Sequence, residues 1–378
     1  MKPFLNPILP ALAGYMQEKA NTAREAALKS GKPVYDFGIG DPREPTPEFL
    51  RQALRDGVPE VSQYPSIAGL PALRKAASAY LQRRFGLSVD ADSELLPCAG
   101  AKEALFHLPL LCLNPERPLC WYPDPSYPVY ERAILFARGE ARTYALREER
   151  AFLPDLDAIS ADEWRRTSIF FDCYPHNPTG AGAPRSHHEK LLALAREHGF
   201  LVVADEPYVD LYVGEPPHSA LQIARENLIV IHSLSKRSGM TGYRSGFMAG
   251  DAEVIRWLRE GRANFGVASQ NFVQQAAIAA WSDDGHVAER RKIFAEKRAL
   301  LLSHLRKLGL RVGGEGAFYL WVRVPDGFTS ESYAARLAER GILVMAGTSF
   351  GPAGQGFIRL AMVPTLKDCA AACEAWPS

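Results

Sequence analysis

Leu228-Ile229-Val230-Ile231-His232-Ser233-Leu234-Ser235-Lys236 is an apolar run that ends in two hydroxyls and a lysine. Its first five residues read as a short strand covered on both faces, as in a sheet flanked by helices. A lysine at the end of such a strand is unusual, because burying an ammonium costs free energy. A lone lysine is ordinarily a surface residue. Here Ser233 and Ser235 flank Lys236, Gly239 and Gly242 follow in a loop, and Arg244 comes next. That setting suits a lysine that forms an imine beside a phosphate held by hydroxyls and a guanidinium.

Upstream, Thr167–Asp172 (TSIFFD) and Leu201–Ala204 (LVVA) are two more continuously apolar strands. Pro71–Phe85 reads as an amphipathic helix, and Lys102–Leu113 as a helix that opens after Cys98-Ala99-Gly100. Alternating strands and helices predict an α/β fold with a mainly parallel sheet. Ligands of such sheets sit at the carboxyl ends of the strands, where three further groups fall. Asp205 follows LVVA; a carboxylate there either caps a helix or faces the pyridine nitrogen of pyridoxal phosphate, keeping the ring protonated as an electron sink. Tyr208 stands three residues on, placed to donate to the ring's phenolic oxygen. Asn177, in Asn177-Pro178-Thr179-Gly180, follows the TSIFFD strand; the tetrapeptide alone is an ordinary turn.

Two loops and one strand add to this edge. Gly100-Ala101-Lys102 opens a helix and offers N–H groups to an anion. Tyr127 lies in a proline-stiffened loop and suits stacking on a flat ring, or plain loop packing. Arg359 interrupts the apolar strand Phe357–Ala361, where a guanidinium either waits for a substrate carboxylate or makes an internal ion pair.

The chain has 378 residues, more than one core usually organises. Beyond about residue 250, long helices and shorter strands suggest a smaller α+β unit. The expected division is a Pro-rich, irregular arm over 1–45 that also contributes to the small unit, a cofactor-binding domain over 46–255, and a small domain over 256–378. A net charge of +1 gives no basic excess for nucleic acid. No apolar run is long enough to span a bilayer, and the N-terminus does not read as a signal peptide. Cys98, Cys112, Cys120, Cys173, Cys369 and Cys373 form no C-x-x-C pair and read as reduced thiols of a cytoplasmic protein. Cys369 and Cys373 lie one helical turn apart, but a zinc site there would need two more ligands that the nine histidines do not cluster to supply, so no metal is expected.

Taken together, Asn177-Pro178-Thr179-Gly180, Asp205 with Tyr208, Ser233 with Lys236, and Arg244 resemble the class I/II aminotransferases, fold type I of the pyridoxal-phosphate enzymes. The likeness runs from about Asp36 to Arg359. It implies that Lys236 is the Schiff-base lysine and the base that moves a proton between substrate Cα and cofactor C4′. It implies that Asp205 pairs with the pyridine nitrogen, that Asn177 and Tyr208 bond the phenolic oxygen, and that Tyr127 stacks on the ring as part of the catalytic apparatus. Ala101, Lys102, Ser233, Ser235 and Arg244 would surround the phosphate. Arg359 would bind the substrate α-carboxylate beside Gly40 of Gly38-Ile39-Gly40-Asp41-Pro42. Tyr64 matches a position that reaches the phosphate from a partner subunit, which implies a homodimer.

Within that class, His232–Ser238, Arg244-Ser245-Gly246-Phe247 and Arg84-Phe85-Gly86-Leu87 are similar to the succinyldiaminopimelate aminotransferases of lysine biosynthesis. Tyr15 and Lys102 resemble substrate-contacting positions of the LL-diaminopimelate aminotransferases. Met240-Thr241-Gly242-Tyr243 instead reads like the class at large. The implied reaction moves an amino group, with glutamate as donor, to a 2-oxo acid such as N-succinyl-2-amino-6-oxopimelate. An aspartate or broad-specificity transaminase, a lyase or decarboxylase on the same scaffold, and a non-catalytic ligand sensor are the rival readings.

Overall fold

The computed structural model describes every residue except Met1, Pro3, Ala13, Gly14, Tyr15, Ser30, Lys32, Glu315, Ala317 and Ser378. Tyr15, expected at the substrate, therefore lies outside the described residues.

Seven strands form the large sheet: β1 (Leu95–Cys98), β2 (Leu119–Asp124), β3 (Glu140–Ala145), β4 (Thr167–Asp172), β5 (Leu201–Asp205), β6 (Leu228–Ser233) and β7 (Gly246–Gly250). Their order is β1-β7-β6-β5-β4-β2-β3. Only β7 runs against its neighbours, so the sheet is mainly parallel as expected. β1, β4, β5 and β6 are buried at every residue. Successive side chains feed opposite layers: Phe170, Val202 and Val230 join one hydrophobic cluster, while Ile169, Phe171, Val203 and Ile231 join another. That explains their unbroken apolar sequences, since both faces are covered. Each such side chain contributes about 1.5–3 kcal/mol by leaving water.

Helix α1 (Pro71–Phe85) starts with proline in its first turn and stops at Gly86, whose left-handed backbone ends the helix. Helix α2 (Ala101–Cys112) follows β1, and helix α3 (Arg185–His198) connects β4 to β5. Helix α4 (Gly285–Lys307) leads into a second, antiparallel sheet. Its strands are β8 (Val312–Gly313), β9 (Tyr319–Arg323), β10 (Met345–Ala346) and β11 (Phe357–Ala361), in the order β10-β11-β9-β8. A separate cluster that includes Phe294, Leu320, Val322, Ile358 and Leu360 fills this region.

The N-terminal stretch is less irregular than its prolines suggest. Met16–Lys29 is helical. Tyr35-Asp36 then pairs in parallel with Ile342-Leu343, and the Ala361 N–H donates to the Phe37 carbonyl. This pairing carries residues 38–41 to the cleft between the two sheets.

A buried ionic knot supports the chain behind Lys236. Asp210 accepts hydrogen bonds from the Tyr80 hydroxyl (2.8 Å), Arg84 Nε (3.0 Å) and Arg237 Nε (2.8 Å). Burial alone would raise the Asp210 pKa; Arg237 and Arg84 outweigh it and hold the group below the ordinary carboxylate value. Asp210→Ala should therefore lose on the order of 3 kcal/mol, because it removes the carboxylate shared by the buried Arg237 and the partly buried Arg84. Wild-type stability from this group should be fully present above the usual carboxylate range and fall away as pH drops through the lowered value. Urea denaturation of both proteins at neutral and acidic pH measures both effects.

Candidate active site

The carboxyl ends of β1, β5 and β6 and the start of β7 share one edge, since Gly246 pairs with both Cys98 and Ser233. A cavity of about 520 Å³ opens there, between the large sheet and residues 38–41, Tyr319, Met345 and Arg359. Its wall includes Gly40, Ala101, Lys102, Tyr127, Asn177, Asp205, Tyr208, Ser233, Ser235, Lys236, Arg244 and Arg359. The structure thus gathers twelve positions expected at the site, drawn from strand ends, helix starts and loops spread over most of the chain.

Lys236 lies in a single helical turn, Leu234–Arg237, that leaves β6. Ser233 caps this turn by accepting from the Ser235 N–H at 3.2 Å. The Lys236 ammonium donates to the Gly40 carbonyl and sits 5.3 Å from the centre of the Phe318 ring. Burial brings this amine down to about 8; Asp41 opposes the shift, and Arg359, Arg244 and Arg290 add to it. An amine so tuned is partly neutral near physiological pH and competent to accept a proton.

Asp205 ends β5 and is 4% exposed. One carboxylate oxygen accepts from the Tyr130 hydroxyl at 2.7 Å. The other, Oδ1, is buried with no hydrogen-bond partner among the described residues. Burial pushes the Asp205 pKa up to about 7; the Tyr130 bond opposes this and Glu206 adds to it. A cationic N–H facing Oδ1 would supply the missing partner and return the group to carboxylate.

At the opposite wall Arg359 is 4% exposed. It donates to Asn177 Oδ1 at 3.0 Å and to the Gly38 carbonyl at 2.5 Å. It forms no ion pair among the described residues, so the internal salt bridge weighed from sequence is not what holds it. The ring centres of Tyr319 and Phe350 lie 4.5 and 4.6 Å from the guanidinium. Tyr319 also meets the Tyr208 hydroxyl at 3.0 Å.

An anion cradle occupies the remaining corner. Helix α2 begins without a side-chain cap, behind Gly100 at φ 86°. A side chain at residue 100 would place its Cβ 2.6 Å from Arg244 Nη2, so glycine lets the guanidinium close on the helix start. Ser233, Ser235 and Lys102 line the same cavity. A helix N-terminus, hydroxyls and a guanidinium together suit a phosphate.

The sequence profile of aminotransferase class I and II matches residues 32–375. The chain belongs to the class I and II aminotransferases. It is 38% identical over 362 residues to an LL-diaminopimelate aminotransferase of Syntrophobacter fumaroxidans, covering 94% of this chain and 93% of that one. It superposes with a TM-score of 0.88 on a probable N-succinyldiaminopimelate aminotransferase from Thermus thermophilus, at 30% identity over 95% of this chain and 98% of that one. An aspartate aminotransferase from the same organism, with maleate, gives a TM-score of 0.90 at 29% identity, covering 98% of each chain. The fold is thus fold type I, and the enzyme depends on pyridoxal phosphate. The unpartnered Asp205 oxygen and the Gly100 cradle fit that cofactor at its two ends.

Three features escaped sequence reasoning. Tyr130, which bonds Asp205, follows Tyr127 at helical spacing, a signal that was present but undistinguished. Tyr319 was visible only as one aromatic in a strand; the β9–β11 register that sets Trp321 opposite Arg359 and brings Tyr319 to its guanidinium cannot be read from one sequence. The third is a side-chain cluster on β4 and α3. His187, His188 and Asp172 have ligating atoms within 4.8 Å of one another, because folding joins a strand end to a distant helix start. Tyr64 does not reach this cavity within its own chain and is fully exposed.

Arg359→Lys keeps the charge but loses the planar fork. The specificity constant kcat/KM for the amino donor should fall about 10–100-fold, the equivalent of one or two charge-assisted hydrogen bonds. Steady-state kinetics against donor concentration, with cofactor saturating, reads this directly.

Proposed function

We propose that this aminotransferase moves an amino group from glutamate to a 2-oxo acid of the diaminopimelate series, N-succinylated or free, in lysine biosynthesis. The observation that carries transamination is the meeting in one cavity of a buried Arg359, without an ion-pair partner among the described residues, and the lowered amine of Lys236. The likeness to a curated LL-diaminopimelate aminotransferase over 94% of the chain supports the substrate class.

In this reading residues 46–255 hold the cofactor, residues 256–378 form the small domain, and residues 1–45 form an arm and part of the small domain. Pyridoxal phosphate supplies an electron sink that stabilises charge at the substrate Cα. Asp205 keeps the ring nitrogen protonated, with Tyr130 fixing the carboxylate. Asn177 and Tyr208 donate toward the phenolic oxygen, and Tyr127 covers the ring face. Ala101, Lys102, Ser233, Ser235 and Arg244 hold the phosphate. Arg359 grips the substrate α-carboxylate beside Gly40, which sets the Cα–H toward Lys236. The neutral Lys236 amine then removes that proton and delivers it across the cofactor, acting as base and acid in turn. Two half-reactions sharing one site give ping-pong kinetics.

Lys236→Ala should abolish amino-group exchange while leaving the fold intact by circular dichroism; substantial residual turnover would refute the assignment. A panel of acceptors with glutamate as donor separates substrates. Preference for the diaminopimelate series supports the proposal, and preference for oxaloacetate favours an aspartate transaminase, a reading supported by the 0.90 TM-score to such an enzyme.

The exposed Tyr64 fits a cytoplasmic homodimer in which it reaches the partner's phosphate. Hybrids of Lys236→Ala and Tyr64→Ala subunits provide the check. Each chain supplies what the other lacks only if Tyr64 acts across the interface, so mixing should restore activity that neither homodimer has.

A further inference from the structure

A second constellation of functional groups lies on β4 and helix α3. Asp172, the last residue of β4, is 1% exposed and has no lysine or arginine partner among the described residues. His187 Nε2 lies 3.1 Å from its Oδ1, and His188 Nε2 lies 3.0 Å from its Oδ2. Both rings are themselves buried, at 8% and 4% exposure. Although consecutive helical residues face different directions, these two imidazoles converge on one carboxylate across the first turn of α3. The Asp172 Oδ2 atom nevertheless has no aligned hydrogen-bond partner. His188 turns its other nitrogen, Nδ1, to His218 Nε2 at 2.8 Å.

A buried carboxylate requires a positive partner. When His188 donates its Nδ1 proton to His218, its Nε2 presents a bare lone pair to a carboxylate lone pair. A cation between them resolves that opposition. In that arrangement His218 accepts from His188 as the outer partner of a metal-bound imidazole does.

We propose that Asp172, His187 and His188 form a buried site for one divalent first-row transition-metal ion of the zinc type, with His218 as the outer partner. Two imidazoles and one carboxylate select such an ion over magnesium or calcium, which prefer all-oxygen shells. Bonds of about 2.0–2.1 Å to a tetrahedral zinc place ligand atoms about 3.3 Å apart. The observed 3.0 and 3.1 Å separations, one to each carboxylate oxygen, are a few tenths of an ångström short of that, and all three ligating groups fall within 4.8 Å of one another. The ion would tie the end of β4, the start of α3 and the loop of His218 together. Asn177, which meets Arg359, follows Asp172 within one short loop, so the site braces the active-site wall from behind.

The test uses the full-length, cofactor-loaded enzyme stripped of metal on a chelating resin and titrated with zinc chloride by calorimetry. One ion per chain is expected, with a rise in melting temperature. His187→Gln and His188→Gln should each weaken binding at least about 100-fold, and His218→Ala about 10–100-fold. Zinc-soaked wild-type crystals should show an anomalous peak between His187 and His188 at the zinc edge, a readout that stands even where a variant misfolds. No uptake by the wild type, undiminished binding by His187→Gln, or a peak confined to cysteines or the cofactor site would overturn the proposal.

Discussion

Asp205 shows the physical problem around which the molecule is built. Its carboxylate sits at the end of a strand buried on both faces, where water cannot satisfy it. Tyr130 satisfies one oxygen, and the other is left to the cavity. A group in that state costs free energy until a cationic donor meets it. The site therefore stores part of the cofactor's binding free energy in its own unfilled valence. The hydrophobic cores on both faces of the sheet keep water from Asp205 and strengthen that demand.

The second sheet supplies the opposite charge. Arg359 comes from β11, and β9 holds Tyr319 against it. Asn177 joins the two halves by accepting from Arg359 while it hangs from the loop after β4. Gly40 is a close point of this junction: a Cβ there would stand 2.7 Å from the Tyr319 hydroxyl. With its carbonyl accepting from Lys236, this glycine registers the N-terminal segment, the small sheet and the reactive lysine against one another. Displacing any one of the three moves the other two.

The large sheet was legible because burial on both faces leaves a plain mark. TSIFFD, LVVA and LIVIH could hardly be anything but central strands, and each is found within a residue of its expected end. The polar residues just past those ends were legible for the same reason, as departures from an apolar run. What the sequence hid depends on contact between distant segments. The Tyr319–Arg359 stack needs the β9–β11 register, and the Asp172 cluster needs α3 laid beside β4. The helix Met16–Lys29 was masked by the prolines around it, which break the chain before the helix and not within it.

Desolvation acts on both reactive groups and moves them in opposite directions. It lowers the Lys236 amine to about 8 and raises Asp205 to about 7. Each shift favours the neutral form, so the bare cavity is less polar than its residues suggest. Adding a ring with a basic nitrogen changes this unequally. The nitrogen's charge falls next to Asp205 and recovers its carboxylate, while Lys236 lies among Arg359, Arg244 and Arg290, which continue to disfavour an ammonium. One low-dielectric pocket can therefore hold a strong acceptor of charge and a free base at the same pH, because their partners differ and their burial does not.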